Sequence, residues 1–313
     1  MSEVADAPHA PHRGWVSRLL GPFHVTGVFW FRFHAFGARR ADWMIRILIP
    51  LFTGFFFCTL FAIRRAVAAN LEAVLGPCGW WARQRRLWRT FETFAWCQTE
   101  RYERLETDRR FEVDEADGLE HWRSLRRAGR GVLLITGHVG NWEMASAVPS
   151  DREGVTVHVV REEEMDPEAQ AWVEERLGRR FGSSYVTHFA SGMGPRLGLE
   201  MREALERGEV VALQGDRPRR GGRSVEVELL GRPYRLAMGP LMLARQTGVP
   251  LLPAFVRRVG RRRYALRFGA PVEVARTADR DADLAAAGKR FAAELERAVR
   301  RTPHQWFVFR ELW

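Results

Sequence analysis

From about residue 110 to its end, the chain alternates short apolar runs with amphipathic segments. Residues 132–136 (VLLIT), 155–160 (VTVHVV), 209–214 (EVVALQ), 225–230, 249–256 and 264–268 are apolar runs of strand length between glycines, prolines or charges. Residues 119–128, 167–179, 197–207, 237–246 and 284–300 instead repeat apolar positions at three- and four-residue steps, which predicts helices. Gly129, Gly208 and Gly248 stand where helix stops belong. Residues 111–113 add a short strand, and residues 231–233 (Gly-Arg-Pro) read as a turn. Strand and helix in alternation predict an α/β fold, a central mixed sheet flanked by helices.

The first hundred residues follow another pattern. Residues 43–63 (WMIRILIPLFTGFFFCTLFAI) carry one charge, Arg46, and are bracketed by Arg39, Arg40, Arg64 and Arg65. A bilayer core needs roughly 20 apolar residues. Pro50, Gly54 and Arg46 argue against a plain span, so three readings stand: a helix in the membrane interface with snorkelling arginines, a true span, or a buried core helix. Arginines on both sides leave the orientation undecided. Residues 67–105 are helical in pattern with a stop at Gly76-Pro77, and their interleaved Trp and Arg fit a buried face, headgroup contact or a binding groove. The first dozen residues read as a flexible tail and not as a signal peptide. The expected organisation is a tail and N-terminal apolar membrane-attachment segment over residues 1–75, and an α/β domain over residues 76–313.

Composition changes this picture mainly through charge. The 313 residues carry a formal net charge of +11, and Lys289 is the only lysine among 49 basic residues. Such a surface favours phosphates, anionic headgroups or an acidic protein. Zinc-finger spacing, an aromatic ribonucleoprotein signature and an isolated basic helix are all lacking, so nucleic acid is not an expected partner. Cys58, Cys78 and Cys97 are odd in number without metal spacing, and the histidines form no His-x3-His or His-Glu-x-x-His pattern, so neither disulfide nor metal is expected.

The candidate chemistry lies in residues 131–148, GVLLITGHVGNWEMASAV. A strand-like run meets Gly137 and Gly140, then helix-like spacing resumes at Trp142. On one regular helix, residues five apart point about 140° away from each other. A glycine turn can bring His138 and Glu143 together, with Asn141 between them. Two readings fit: a surface pair at a capped helix start, or an imidazole general base held by a carboxylate. Arg161, Asp216 and Arg217 sit at the carboxyl ends of other strands, the side on which open α/β sheets bind ligands. The loop at residues 215–223 reads either as an anion cradle or as a solvated turn, with Asp216 ordering it.

At GHVGNWE the sequence resembles the lipid A biosynthesis acyltransferase family, the lauroyl and myristoyl transferases of Gram-negative inner membranes, within the lysophospholipid acyltransferase group. The resemblance rests on the Gly-His-x-Gly-Asn-Trp-Glu run from Gly137 to Glu143. It extends to Arg161 after the second strand, Gln214-Gly215-Asp216-Arg217, Gly231-Arg232-Pro233 before a helix and a Gly-Val-Pro strand, and the tail PHQWFVFR from Pro303 to Arg310. The chain departs from the family after Asp216 and in the acidic run Glu162-Glu163-Glu164. The resemblance implies a glycerolipid acyltransferase-like fold and an acyl thioester donor, acyl carrier protein or acyl-CoA. It also implies a hydroxyl acceptor on a lipid A-like membrane glycolipid, and a place on the cytoplasmic face of the inner membrane. On that expectation His138 is the general base, Glu143 orients it, and Arg161, Asp216, Arg217 and Asn141 meet substrate, with no cofactor beyond the thioester. Alternatives are acyl transfer to an ornithine, polyene or mannoside lipid, a thioesterase, or a non-catalytic basic membrane-binding protein.

Overall fold

The computed structural model describes residues 28–40, 42–143, 154–164, 166–189, 194–219 and 221–313. The N-terminal helices are α1 (Val28–Arg40), α2 (Asp42–Thr59), α3 (Phe61–Leu75) and α4 (Trp80–Glu106). The apolar run at residues 43–63 is thus broken, because Leu60 leaves the helical region at φ −94°, ψ 61°. Arg64 stabilises the break by donating to the Phe57 carbonyl (2.9 Å), one of the acceptors that a helix end leaves open.

Helix α2 has two apolar faces with different fates. Ile45, Ile49 and Thr53 are buried, and the two isoleucines pack on Ala95 and Trp96 of α4. Trp43, Ile47, Leu51 and Phe55, one residue per turn, stay exposed. By length and composition α2 could cross a membrane, yet it lies against α4 along one side.

The strands are β1 (Glu112–Asp117), β2 (Val132–Thr136), β3 (Val157–Arg161), β4 (Tyr185–Phe189), β5 (Val210–Gln214), β6 (Ser224–Leu229), β7 (Arg232–Ala237), β8 (Leu251–Gly260) and β9 (Arg263–Phe268). Between them run α5 (Leu119–Arg127), α6 (Pro167–Phe181), α7 (Pro195–Glu206) and α8 (Met238–Thr247), and α9 (Arg280–Arg301) follows β9. A seven-stranded sheet has the order β1-β9-β8-β2-β5-β3-β4. Its neighbours run parallel except β8 and β9, which form an antiparallel hairpin, so the sheet is mixed.

β2 is central because both its faces are apolar. Leu133 and Ile135 enter the core under α7, α8 and α9, while Val132 and Leu134 enter the opposite core with Tyr102, Trp122 and Trp172. The β6–β7 hairpin is separate and packs on α9 at Gly288. The sequence pattern gives β6 but reads the start of β7 as a turn. Pro233 is tolerated there because a two-stranded ribbon exposes its edges. The turn itself is Leu230-Gly231, both with positive φ (57° and 73°), as a two-residue hairpin loop requires. Glu296 accepts the Leu230 backbone N–H at 2.8 Å and holds that uncommon conformation.

A buried ionic network joins α4 to the β8–β9 hairpin. Glu100 and Glu103 are inaccessible to solvent, and Glu100 accepts from Arg258 Nε (3.1 Å), the Arg262 backbone N–H (3.0 Å) and the Tyr264 hydroxyl. Asp42, at the head of α2, accepts from Arg261 (2.8 Å) and Arg262 (2.6 Å). Paired in this way, buried carboxylates avoid the several kcal/mol that an isolated buried charge costs.

Candidate active site

Three neighbouring parallel strands, β2, β5 and β3, deliver His138, Asp216 and Arg161 to one edge of the sheet. Each residue sits at, or within two residues of, the carboxyl end of its strand. Gly215 permits the close approach of β5 to β2, since a Cβ there would lie 2.5 Å from Ile135 Cδ1. Its N–H instead donates to the Thr136 carbonyl at 2.8 Å, which sets Asp216 beside the turn after β2.

That turn is held from outside. Gly140 has φ 62°, and a Cβ on it would lie 1.8 Å from the Val256 carbonyl oxygen, so glycine is required there. The Gly140 N–H donates to the Gln305 carbonyl (2.8 Å), the Asn141 N–H to the Val256 carbonyl (3.1 Å), and the Phe307 N–H to the His138 carbonyl (2.8 Å). Gln305 in turn brackets the backbone of Arg258, accepting its N–H (2.9 Å) and donating to its carbonyl (2.8 Å). The aromatic C-terminal tail is therefore a strap across the histidine turn. This explains why so apolar a segment is not left in water.

His138 is fixed by Asp216. The His138 backbone N–H donates to Asp216 Oδ2 (3.1 Å), and Nδ1 lies 2.8 Å from Oδ1. Burial alone would push the Asp216 carboxyl up, but the His138 imidazole, its ring and backbone N–H groups and the Arg217 guanidinium outweigh this and hold it below the usual carboxylate range. An ionised Asp216 can only accept, so Nδ1 carries the proton and Nε2 is left as the basic nitrogen. The Trp142 ring packs at 5.0 Å from the imidazole.

The expected orienter, Glu143, is elsewhere. It pairs with Arg101 of α4 and, at 3.5 Å, with Arg161, so the carboxylate on Nδ1 is Asp216 and the pairing of Glu143 with His138 is corrected. The reason is topological: the sheet puts β5 next to β2, and the end of β5 occupies the imidazole's Nδ1 side. Asn141 lies inside the turn. It is buried and its amide donates to the Cys97 carbonyl (3.2 Å) and the Tyr264 hydroxyl (3.2 Å), so it braces the turn. Arg217 adjoins Asp216 and acts on it by charge, while Arg219 of the same loop pairs with Glu162 at 3.2 Å. The helix expected to follow Trp142 extends into residues 144–148, outside the described residues.

Sequence reasoning missed Arg101, although a signal existed. Leu87, Phe91, Phe94, Cys97, Arg101 and Arg104 continue one stripe at three- and four-residue steps, so two arginines stand on the packed side of an amphipathic helix.

The arrangement is a base with an oriented tautomer beside an arginine, at the edge where α/β sheets bind ligands. The chain is 34% identical over 139 residues to the phosphatidylinositol mannoside acyltransferases of two strains of Mycobacterium tuberculosis. The match covers 44% of this chain and only 42% of those relatives' length. Residues 42–313 match the family model of bacterial lipid A biosynthesis acyltransferases, and over that extent the chain belongs to this family.

Proposed function

We propose that the protein transfers a fatty acyl group from a thioester, carried by acyl carrier protein or coenzyme A, to a hydroxyl of a membrane glycolipid. The observation that carries this is the His138–Asp216 pair at the sheet edge. Asp216 keeps the proton on Nδ1, and Nε2 takes the proton of the acceptor hydroxyl. The acceptor oxygen then bonds to the thioester carbonyl carbon. As the tetrahedral intermediate collapses, the C–S bond breaks and the imidazolium returns its proton to the departing sulfur. A thiol with pKa about 8.5 leaves readily, so no covalent acyl-enzyme is required. The step as written uses no cofactor beyond the thioester.

Arg161, on the same edge, binds an anionic group of the acceptor. For the acceptor, the family's name favours a lipid A-like glycolipid, and the mannoside acyltransferases favour a phosphatidylinositol mannoside. The exposed apolar stripe of α2, with Arg46 beside it, supports attachment to an anionic membrane surface; the cytoplasmic face of the inner membrane is the place this function implies.

The test is acyl transfer by purified protein. With labelled palmitoyl thioester and each glycolipid in mixed micelles, the parent forms an acylated glycolipid and His138→Ala forms none above background. Parent-rate transfer by His138→Ala would sink the reading. Mass spectrometry of membrane lipids from cells lacking the protein then identifies the acceptor by the missing acyl mass.

A further inference from the structure

Four charged side chains meet beside the histidine turn: Arg101 of α4, Arg161 at the end of β3, Glu143 after the turn, and Glu164. Arg101 pairs with Glu143 and donates from Nη2 to Glu164 at 3.0 Å. Arg161 reaches the same two carboxylates, both from Nη2 and both at 3.5 Å, the outer limit of a hydrogen bond. The two arginine side chains are equally exposed, at 12% each. They therefore differ in how they are held and not in access to water.

We propose that Arg101 is a positioning residue: it neutralises Glu143 and Glu164, and so leaves Arg161 exchangeable for an anionic phosphate of the acceptor. The proposal rests on the reading that this edge binds an acceptor lipid. With Arg101 present the four charges sum to zero, and Arg161 holds the carboxylates only at the edge of bonding distance. Without it, both carboxylates lose a partner and Arg161, which already reaches each of them, is drawn closer. An arriving phosphate would then meet a cluster more negative by one charge. Arg101 is suited to a fixed role: it packs over the Tyr102 ring (5.3 Å), Glu164 is anchored by its own backbone N–H on Gln170 (2.8 Å), and a planar guanidinium can serve two carboxylates at once. Burial alone would lower its pKa, yet the negative charges around it push it above the usual arginine range, so it stays charged.

The experiment is binding of dihexanoyl phosphatidic acid, a soluble lipid phosphate, to full-length protein by titration calorimetry. The parent saturates. Arg161→Gln abolishes binding, and Arg101→Gln weakens it by about tenfold, the effect of roughly one lost charge-assisted contact. Glu164→Gln restores at least about threefold in the Arg101→Gln background and nothing in the Arg161→Gln background, because only in the first is there a guanidinium to release. A merely structural role for Arg101 predicts no such rescue. If Arg101→Gln does not fold, Glu164→Gln alone decides, since relieving Arg161 of one carboxylate should tighten binding. The proposal is overturned if the parent does not bind the probe, if Arg101→Gln binds like the parent, if its loss is not rescued, or if Glu164→Gln alone fails to tighten. Failure of acyl transfer is separate: it shows as parent activity surviving His138→Ala and leaves the binding series unchanged.

Discussion

The carboxylate of Asp216 makes two bonds to one residue, His138: Oδ1 lies 2.8 Å from Nδ1 and Oδ2 accepts the backbone N–H at 3.1 Å. The ring's plane and tautomer are both fixed by an acid 78 positions away in the chain. Asp216→Asn keeps the shape but removes the charge that stabilises the imidazolium, so kcat should fall by about 10²–10⁴-fold. Glu143→Gln should hold kcat within roughly tenfold of the parent and act mainly on the acceptor KM, because Glu143 faces arginines and not the base. Equal loss of kcat in both variants would contradict this division.

Gly140 carries the sharpest steric constraint at the site. Gly140→Ala places a methyl group on the Val256 carbonyl and forces a side chain into positive φ. The φ term alone costs of order 1–3 kcal/mol. The expected result is a lower melting temperature together with loss of transfer, as the strap bonds at Gln305 and Phe307 slip. Thermal denaturation of the variant beside the parent measures it.

The fold was legible wherever a buried run lay between glycine stops: β2, β5 and β9 fall within a residue or so of the pattern at residues 132–136, 209–214 and 264–268. Local signals failed at two points. The break at Leu60 is held by Arg64 on the Phe57 carbonyl, which periodicity does not register, and β7 begins with Arg-Pro, which reads as a turn. At the site, His138 and Arg161 were legible as residues at strand ends. The partner of His138 was not. Sequence proximity favours Glu143 at five positions, whereas Asp216 is brought in only by strand order, a long-range property of the sheet. Arg101 was obscured for a related reason, since its partners come from two other elements.

The two apolar faces of α2 give opposite predictions for the same chemical change. Leu51 is 62% exposed and Ile49 is 2% exposed, two residues away. Leu51→Glu should leave the melting temperature close to the parent's and weaken binding to vesicles containing phosphatidylglycerol by tenfold or more, since a buried leucine contributes about 1.5–3 kcal/mol. Ile49→Glu should instead destabilise the fold, by burying an unpaired charge against α4. Vesicle flotation and thermal melting of both variants separate the cases. Undiminished flotation of Leu51→Glu would remove this stripe from the membrane contact.

The strap across the site carries a titratable group that makes its hold depend on pH. Burial and the Arg89 charge push His304 down to about 4 in the folded protein, against an ordinary value near 6.5. Between these values the unfolded chain binds a proton on this side chain and the folded chain does not, so stability rises with pH across the window. The contribution is therefore complete above about pH 6.5 and is lost progressively as the pH falls toward 4. His304→Gln removes the proton uptake, so its stability should decline less than the parent's between pH 6.5 and 4 and match the parent's slope above that range. Denaturant midpoints taken at half-unit steps of pH measure the difference. Because His304 directly precedes Gln305, whose carbonyl accepts the Gly140 N–H, acid loosening of the strap should reach the histidine turn. The parent should accordingly lose acyl transfer at a higher pH than His304→Gln, and coincident acid limbs would mean that the strap and the turn are not coupled.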